Sequence, residues 1–308
     1  MTQKRDIRAL TKDELRAFFE SNSDKPFRGN QVYEWLWQKG VHTFEEMTSL
    51  PKATREMLSE HFSINHIKVD VMQRSNDGTI KNAVRLHDGL LVESVLIPTD
   101  TRTTACVSSQ VGCSLNCSFC ATARLKRMRN LLPDEIFDQV KVIDEQSRAF
   151  FGRPLSNIVF MGMGEPLLNL DSIAKTIAVL THPKGRNLSH RRITLSTSGI
   201  CKGIYELADS RLDIRLAVSL TTADEDLRTT LMPVTKANPL TELKKAIRYF
   251  NDKTDKRVTL ELALLKNVNT SYKAAQQVCA FAEGLNVHIN LIPWNPVQQL
   301  PYSTPSDS

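Results

Sequence analysis

The segment Cys106-Val-Ser-Ser-Gln-Val-Gly-Cys113-Ser-Leu-Asn-Cys117-Ser-Phe-Cys120 brings three cysteines together in a CxxxCxxC spacing. Three thiolates in one short loop predict an iron–sulfur cluster, for which an ordinary ligand set is four cysteines. The missing fourth thiolate leaves one iron open to another ligand. The alternatives are a structural zinc site, which would need a fourth Cys or His nearby, and cysteines that simply pack. Neither fits this spacing well.

The composition indicates a globular protein with one sizeable core. The chain has 308 residues, 41% of them hydrophobic, which is enough for that core and a small appended domain. Its longest apolar stretches, such as 157–161 and 260–265, are strand-length, so no membrane-spanning helix is expected. The N-terminus is charged and has no apolar signal sequence, so we expect a cytoplasmic protein without a membrane partner. Six cysteines in such a chain favour metal or redox chemistry over disulfides.

The formal net charge is +6, and many of the basic residues fall in two groups. The first follows the cysteines and contains Arg124, Lys126, Arg127 and Arg129; the second contains Lys184, Arg186, His190, Arg191 and Arg192. This clustering is expected if a polyanion such as a nucleic acid approaches the active face. The alternative is two ordinary basic loops on a solvated surface.

Residues 1–65 have the periodicity of helices. These helices are predicted over Lys12 to Phe19, Asn30 to Gln38 and Thr54 to His61. The aromatic residues of the segment recur at helical spacing, which favours a small core of their own over stacking surfaces for bases. They are Phe27, Tyr33, Trp35 and Trp37.

The rest of the chain has the pattern of an α/β protein. Residues 66–100 predict a β-meander, because Asn76-Asp77-Gly78 and Asp88-Gly89 turns separate apolar runs. Strands are then predicted over Ile158 to Met161, Ile193 to Ser196, Leu212 to Leu220, Thr259 to Leu265 and Val287 to Ile292, and helices over Pro133 to Ala149, Leu170 to Leu180, Leu240 to Phe250 and Tyr272 to Glu283. This alternation implies a parallel sheet whose functional residues lie at the carboxyl ends of the strands.

Six sequence motifs, spread along most of the chain, together resemble the motifs of one protein family. They are Phe27 to Trp35, Val92 to Pro98, Cys106 to Thr122, Phe160 to Asn169, Arg191 to Gly199 and Asn290 to Pro296. They resemble the RlmN/Cfr family of radical S-adenosylmethionine (SAM) RNA methyltransferases. Pro166, within Gly-Met-Gly-Glu-Pro, and the N-terminal domain are similar to the branch that methylates C2 of an adenosine in 23S rRNA and in certain tRNAs. They are less similar to the C8-methylating branch.

The resemblance implies a partial parallel (β/α) radical SAM barrel with a β-extension and a small N-terminal helical domain. The expected division is 1–65 for an RNA-binding domain, 66–100 for the extension and 101–308 for a core that lacks the family's last unit. The implied cofactors are a 4Fe-4S cluster on Cys113, Cys117 and Cys120 and SAM on the open iron, with an external one-electron reductant. The family's SAM contacts match Gly164, Glu165, Ser196, Ser219, Leu220, Thr221 and Asn295. Thr221 replaces a family His, and its hydroxyl can still form a hydrogen bond.

The resemblance also implies catalytic residues. In the family, one SAM methylates a cysteine near the C-terminus, and a second is cleaved to a 5′-deoxyadenosyl radical that takes a hydrogen from the S-methyl group. The carbon radical adds to adenine, and release requires loss of the C2 proton and a disulfide with another cysteine. Cys106 matches that other cysteine, and Glu93 matches the proton acceptor; without the match Glu93 would be a half-buried strand carboxylate. Cys201 and Cys279, in a βα turn and an apolar helix, are expected to pack.

The sequence departs from the family at its C-terminal end. It stops at Ser308, and no cysteine after Cys279 matches the methyl carrier. We expect a fragment of a longer gene product rather than a chain that lost the carrier, because every earlier motif is intact and a barrel without its last unit would expose a sheet edge. The alternatives to C2 methylation are C8 methylation and a catalytically silent RNA-binding protein.

Overall fold

A computed structural model describes residues 4–306, so residues 1–3 and 307–308, at the ends of the predicted 1–65 and 101–308 segments, lie outside the described residues. The helices are α1 Lys12–Ser21, α2 Phe27–Glu34, α3 Lys52–His61, α4 Pro133–Phe151, α5 Leu170–Thr181, α6 Cys201–Asp209, α7 Glu225–Leu231, α8 Leu240–Thr254 and α9 Tyr272–Ala282. The strands are β1 Arg5–Asp6, β2 Phe62–Ser63, β3 Lys68–Arg74, β4 Ile80–Arg85, β5 Leu91–Pro98, β6 Thr103–Cys106, β7 Gln110–Val111, β8 Arg129–Asn130, β9 Asn157–Phe160, β10 Ile193–Thr197, β11 Arg215–Ser219, β12 Val258–Leu264 and β13 Val287–Pro293. In this part of the chain, no helix combines the length and the apolar character needed to cross a membrane.

A nine-stranded sheet forms the centre of the molecule, with the strand order β13-β12-β11-β10-β9-β6-β5-β4-β3. From β13 to β6 all neighbours are parallel, whereas β6, β5, β4 and β3 pair antiparallel. The parallel strands are joined by helices, as βα units require. The predicted α/β fold, an open parallel (β/α) barrel with a β-extension, is confirmed.

The core strands lie within a few residues of their predicted positions. The largest difference is in β11, which was expected from Leu212 and begins at Arg215. The Ser210 side chain explains the delay: its Oγ donates to the Leu207 carbonyl at 2.7 Å and accepts from the Leu212 amide at 3.3 Å, so the chain turns there before it extends.

Two short helices, α6 and α7, were not predicted. The surroundings of Cys201 and Cys279 also differ from those expected. Cys201 is the first residue of α6 rather than part of a turn, and it is buried as expected. Cys279 on α9 is exposed, so its expected packing role is wrong. The helix instead turns Ala274, Val278 and Phe281 inward.

The N-terminal helices share the main hydrophobic core. Buried side chains of α1 to α3, including Leu15, Phe19 and Leu58, belong to the same cluster as those of the βα units. Trp37 packs edge-on against Phe137 of α4, with ring centroids 5.4 Å apart. The expected separate aromatic core is therefore wrong in two respects: it is continuous with the main core, and Phe27, on the first turn of α2, is 51% exposed.

A buried arginine fastens the N-terminal segment to α4. The Arg8 guanidinium is 2.7 Å from Asp138 Oδ1 and 3.2 Å from Asp134 Oδ2. Burial raises the pKa of Asp134 to about 6, although the attraction of Arg8 lowers it. Both carboxylates therefore depend on one cation that lies more than 120 residues away in the sequence.

We predict that Arg8→Met destabilises the protein by about 3–5 kcal/mol, because it leaves two buried carboxylates without their cation. Urea unfolding measures the change. The matched control is Arg5→Met, since Arg5 pairs with Glu14 at the surface and is expected to contribute little. Equal stability of the two variants would contradict this account of the junction.

Candidate active site

A cavity of about 280 Å³ opens at the carboxyl edge of the parallel strands. It is lined by Cys113, Leu115, Cys117, Phe119, Cys120, Phe160, Met161, Gly162, Gly164, Glu165, Pro166, Ser196, Thr197, Ser198, Ser219, Thr221, Met232, Glu261, Ala263 and Ile292. Most of the residues predicted for the cluster and for SAM thus meet in one place. They come from separate segments that follow β7, β9, β10 and β11.

The cysteine loop is held from several sides by its backbone. Gly112 turns the chain into the loop with a φ of +72°, and a Cβ there would lie 2.4 Å from the Lys126 carbonyl oxygen. The Ser118 amide donates to the Leu231 carbonyl of α7 at 2.8 Å. The indole Nε1 of Trp294 donates to the Phe119 carbonyl at 2.9 Å. These contacts fix the loop through atoms other than the thiols.

The three thiols face a common space without converging on one point. Burial, together with the neighbouring Cys120 and Cys113, raises the pKa of Cys117 to about 12. Within residues 4–306, no three Cys, His, Asp or Glu side chains are arranged around a single metal ion. The three cysteines line one cavity, as expected for a cluster in which each thiolate binds a different iron.

The turn after β9 forms the opposite wall of the cavity. Gly164 has a φ of +102°, and a Cβ there would lie 2.6 Å from the Gln110 Cβ. Glu165 is buried, and its Oε2 accepts from the Ser198 amide at 2.8 Å and from the Ser198 hydroxyl at 2.7 Å. Its Oε1 accepts from the Leu167 amide at 3.1 Å. Burial raises the pKa of Glu165, and these hydrogen bonds partly offset that rise.

The other predicted SAM residues divide into two sets. Ser196, Ser219 and Thr221 line the cavity, and Thr221 has a φ of +60°. The side chain of Leu220 is instead buried in the core, and its amide donates to the Glu261 carbonyl at 2.9 Å. Asn295 is exposed and does not line the cavity.

Two family models match this chain. A family model described as the ribosomal RNA large subunit methyltransferase N-terminal domain matches residues 5–64, and that of the radical SAM superfamily matches residues 107–275. A probable dual-specificity RNA methyltransferase RlmN from Flavobacterium psychrophilum is 59% identical over 295 residues, which are 96% of this chain and 85% of the relative. This chain belongs to the RlmN family. A relative with the same description from Treponema denticola is 51% identical over 283 residues, 92% of this chain and 80% of its own length.

A solved structure agrees with this membership of the RlmN family. The crystal structure of a radical SAM methyltransferase from Sphaerobacter thermophilus superposes with a TM-score of 0.92 and 37% identity. The match covers 98% of this chain and 89% of the other. The RlmN family uses a 4Fe-4S cluster and SAM, as the cysteine spacing predicted.

Cys106 and Glu93, the residues matched to the release step of the RlmN family, are not among the residues that line the cavity; they lie on β6 and β5. Cys106 pairs with Val95 of β5, two residues from Glu93, so both side chains are on one face of the sheet. Burial raises the pKa of Cys106 to about 11, which keeps it a thiol at neutral pH. Glu93 is half-exposed, and its carboxylate is 2.6 Å from the Lys81 ammonium.

The two basic groups lie at opposite edges of the sheet. The group of Arg124, Lys126 and Arg127 follows the cysteine loop, where Arg124 donates to the Gln299 side chain at 2.9 Å. The second group immediately precedes β10, at the amino ends of the parallel strands, so its expected place on the active face is wrong. In that group Arg186 forms an ion pair with Asp144 of α4.

Sequence reasoning missed several residues that complete this RlmN-family site. Ser198 holds Glu165, and Glu261 adds a second carboxylate to the cavity, hydrogen-bonded to Asn290 at 2.7 Å. Ser198 stands in the Ser-Thr-Ser-Gly run at the end of β10, which was a usable signal. Glu261 is one alternating position of a strand, and nothing local distinguishes it.

We predict that Gly164→Ala weakens SAM binding and destabilises the fold by about 1–3 kcal/mol, because the positive φ and the Gln110 side chain both oppose a Cβ. Gly152→Ala is the matched control. Gly152 also has a positive φ, but nothing lies within 4 Å of its Cβ position. Calorimetric SAM titration and thermal unfolding of both variants test this, and SAM affinity lowered equally in the two would show that the Gly164 contact is unimportant.

Proposed function

We propose that this protein transfers a methyl group to C2 of an adenosine in 23S rRNA and in tRNA. The observation that carries the proposal is the meeting of three cysteines and the Gly164–Glu165 turn around one cavity in a chain of the RlmN family. The names of the relatives supply RNA as the substrate class, and the similarity to the C2 branch supplies the position.

The cofactor roles follow from the donors that face the cavity. Cys113, Cys117 and Cys120 are the proposed ligands of the 4Fe-4S cluster, and its fourth iron is left for SAM. When bound, the cluster supplies one electron to SAM and so generates the radical that activates the methyl donor. An external one-electron reductant is needed, because reductive cleavage of SAM consumes one electron each time.

The walls of the cavity bind and orient SAM. Gly162 and Gly164 allow the turn after β9 to pack closely against the segment 107–110, because a Cβ at either would lie within 3 Å of that segment. Glu165 is fixed by Ser198 and Leu167 and keeps acceptor capacity for an ammonium group, as the SAM amino group requires. The hydroxyls of Ser196, Ser219 and Thr221 are proposed to complete the polar contacts. Leu220 contributes through its backbone, and Asn295 would have to approach from outside the cavity.

The release of product is assigned to two residues on the β-extension side. Glu93 is the proposed acceptor of the adenine C2 proton, and its carboxylate forms an ion pair with the Lys81 ammonium. Cys106 is the proposed thiol of the disulfide-forming step. Its location on the same face of the sheet supports this pairing of roles.

The charge near the cavity suits an RNA substrate. Arg124, Lys126 and Arg127 are exposed beside the cysteine loop, where they can contact phosphates. We expect 23S rRNA and tRNA to be the partners and the cytoplasm to be the compartment where they meet this protein.

The experiment is nucleoside mass spectrometry of 23S rRNA and tRNA from a strain that lacks the gene for this protein. We expect 2-methyladenosine to disappear and to return when the gene is restored. A gene carrying Cys113→Ala should not restore it, because the cluster would lose a ligand. Cys279→Ala is the matched control and should restore it, since Cys279 is exposed on α9.

Other outcomes would contradict the proposal in different ways. Loss of 8-methyladenosine would show C8 specificity. Unchanged levels of both nucleosides in the deletion strain would favour an RNA-binding protein without turnover. Restoration by the Cys113→Ala gene would exclude the proposed ligand role of that cysteine.

A further inference from the structure

Arg228, on α7, has the largest of the fully buried side chains among residues 4–306, with 0% exposure. All hydrogen bonds of its guanidinium go to neutral oxygens. Nε donates to the Leu220 carbonyl at 3.1 Å, and Nη1 donates to the Thr235 hydroxyl at 2.8 Å. Nη2 donates to the carbonyls of Ser198 at 2.7 Å and Ser219 at 3.2 Å. A buried cation without a hydrogen-bonded anion retains much of its desolvation cost, although the Glu225 carboxylate attracts Arg228 through space.

The carbonyls that Arg228 binds belong to the site. Ser219 ends β11 and Leu220 follows it, and Ser198 follows β10. The same Ser198 uses its amide and hydroxyl to hold the Glu165 carboxylate. The Arg228 guanidinium therefore links the carboxyl ends of β10 and β11. Through Ser198 it is also connected to the Glu165 carboxylate in the cavity.

Arg228 also lies close to the cysteine loop. The helix that carries it accepts a hydrogen bond at Leu231 from the Ser118 amide, and Cys117 packs in the same apolar cluster as Leu231. Burial lowers the pKa of Arg228 to about 10, so it is protonated at neutral pH, and its charge lies close enough to Cys117 to interact with it. A thiolate-bound cluster would place negative charge next to this cation.

We propose that Arg228 is a positioning residue for both cofactors: its planar fork holds the strand ends that bind SAM, and its charge offsets that of the cysteine-bound cluster. The inference rests on the proposed cluster site at Cys113, Cys117 and Cys120. A fixed positive charge beside the cluster favours the reduced state, because reduction adds negative charge there. Lysine can replace the charge but not the fork, which reaches several acceptors at once.

The test compares Arg228→Lys and Arg228→Gln in the anaerobically reconstituted protein. The cluster midpoint potential is measured by redox titration, and SAM affinity by calorimetry. Arg228→Gln should lower the equilibrium constant for one-electron reduction about tenfold, a shift of about 59 mV to more negative potential. Arg228→Lys should keep the potential but weaken SAM binding by about 10-fold or more. The matched control is Arg211→Gln, the same change at an exposed residue before β11, which should alter neither quantity.

The outcomes separate this inference from the proposed function. If the unmodified protein binds no cluster, the proposed function fails first. If it binds one and Arg228→Gln has the same potential, the charge role is wrong. Wild-type SAM affinity in Arg228→Lys would show that the planar guanidinium is not needed to position the strand ends that bind SAM.

Thermal unfolding of the metal-free variants measures any effect on the fold. A purely structural role of Arg228 would lower their stability without changing the cluster potential. Should Arg228→Gln not fold, Arg228→Lys decides: the unshifted potential with weakened SAM binding supports the proposal, and any other result overturns it.

Discussion

The parallel pairing of the strands from β6 to β12 is the constraint on which the candidate site depends. Because neighbours run in the same direction, their carboxyl ends share one edge of the sheet. The cysteine loop enters this edge from beyond β6, and the Gly164–Glu165 turn follows β9. Ser198 follows β10, and Ser219 ends β11. The antiparallel β-extension continues the same sheet, which is why Glu93 and Cys106 share one of its faces.

Two buried side chains of opposite charge, Glu165 and Arg228, are connected through hydrogen bonds to the same residue, Ser198. Glu165 receives the amide and hydroxyl hydrogens of that residue, and Arg228 donates to its carbonyl. Burial raises the pKa of Glu165 and lowers that of Arg228, so each side chain is held at a cost in solvation. Such costs are expected where a protein is organised for charged ligands, and both a cationic amino group and an anionic cluster are proposed here.

Much of the site follows from the sequence because its signals are local. The CxxxCxxC spacing and the Gly-Met-Gly-Glu turn are contiguous in the sequence, so they can be recognised without knowledge of the tertiary structure. The core strands were also predicted to within a few residues. What failed depends on tertiary arrangement. The second basic group is at the amino edge of the sheet because of strand direction, and Cys279 is exposed because of how α9 is rotated. Arg228 carried no signal, since an arginine in a short helix is ordinarily exposed.

The central claim is that three cysteines hold a cluster with one iron left open to SAM. Its most direct test is the metal content and spectrum of the anaerobically reconstituted chain with and without Cys117. The account predicts about four irons per chain, a spectrum that changes when SAM is added, and loss of both in Cys117→Ala. A colourless protein that binds zinc, with the same metal content in the variant, would contradict it.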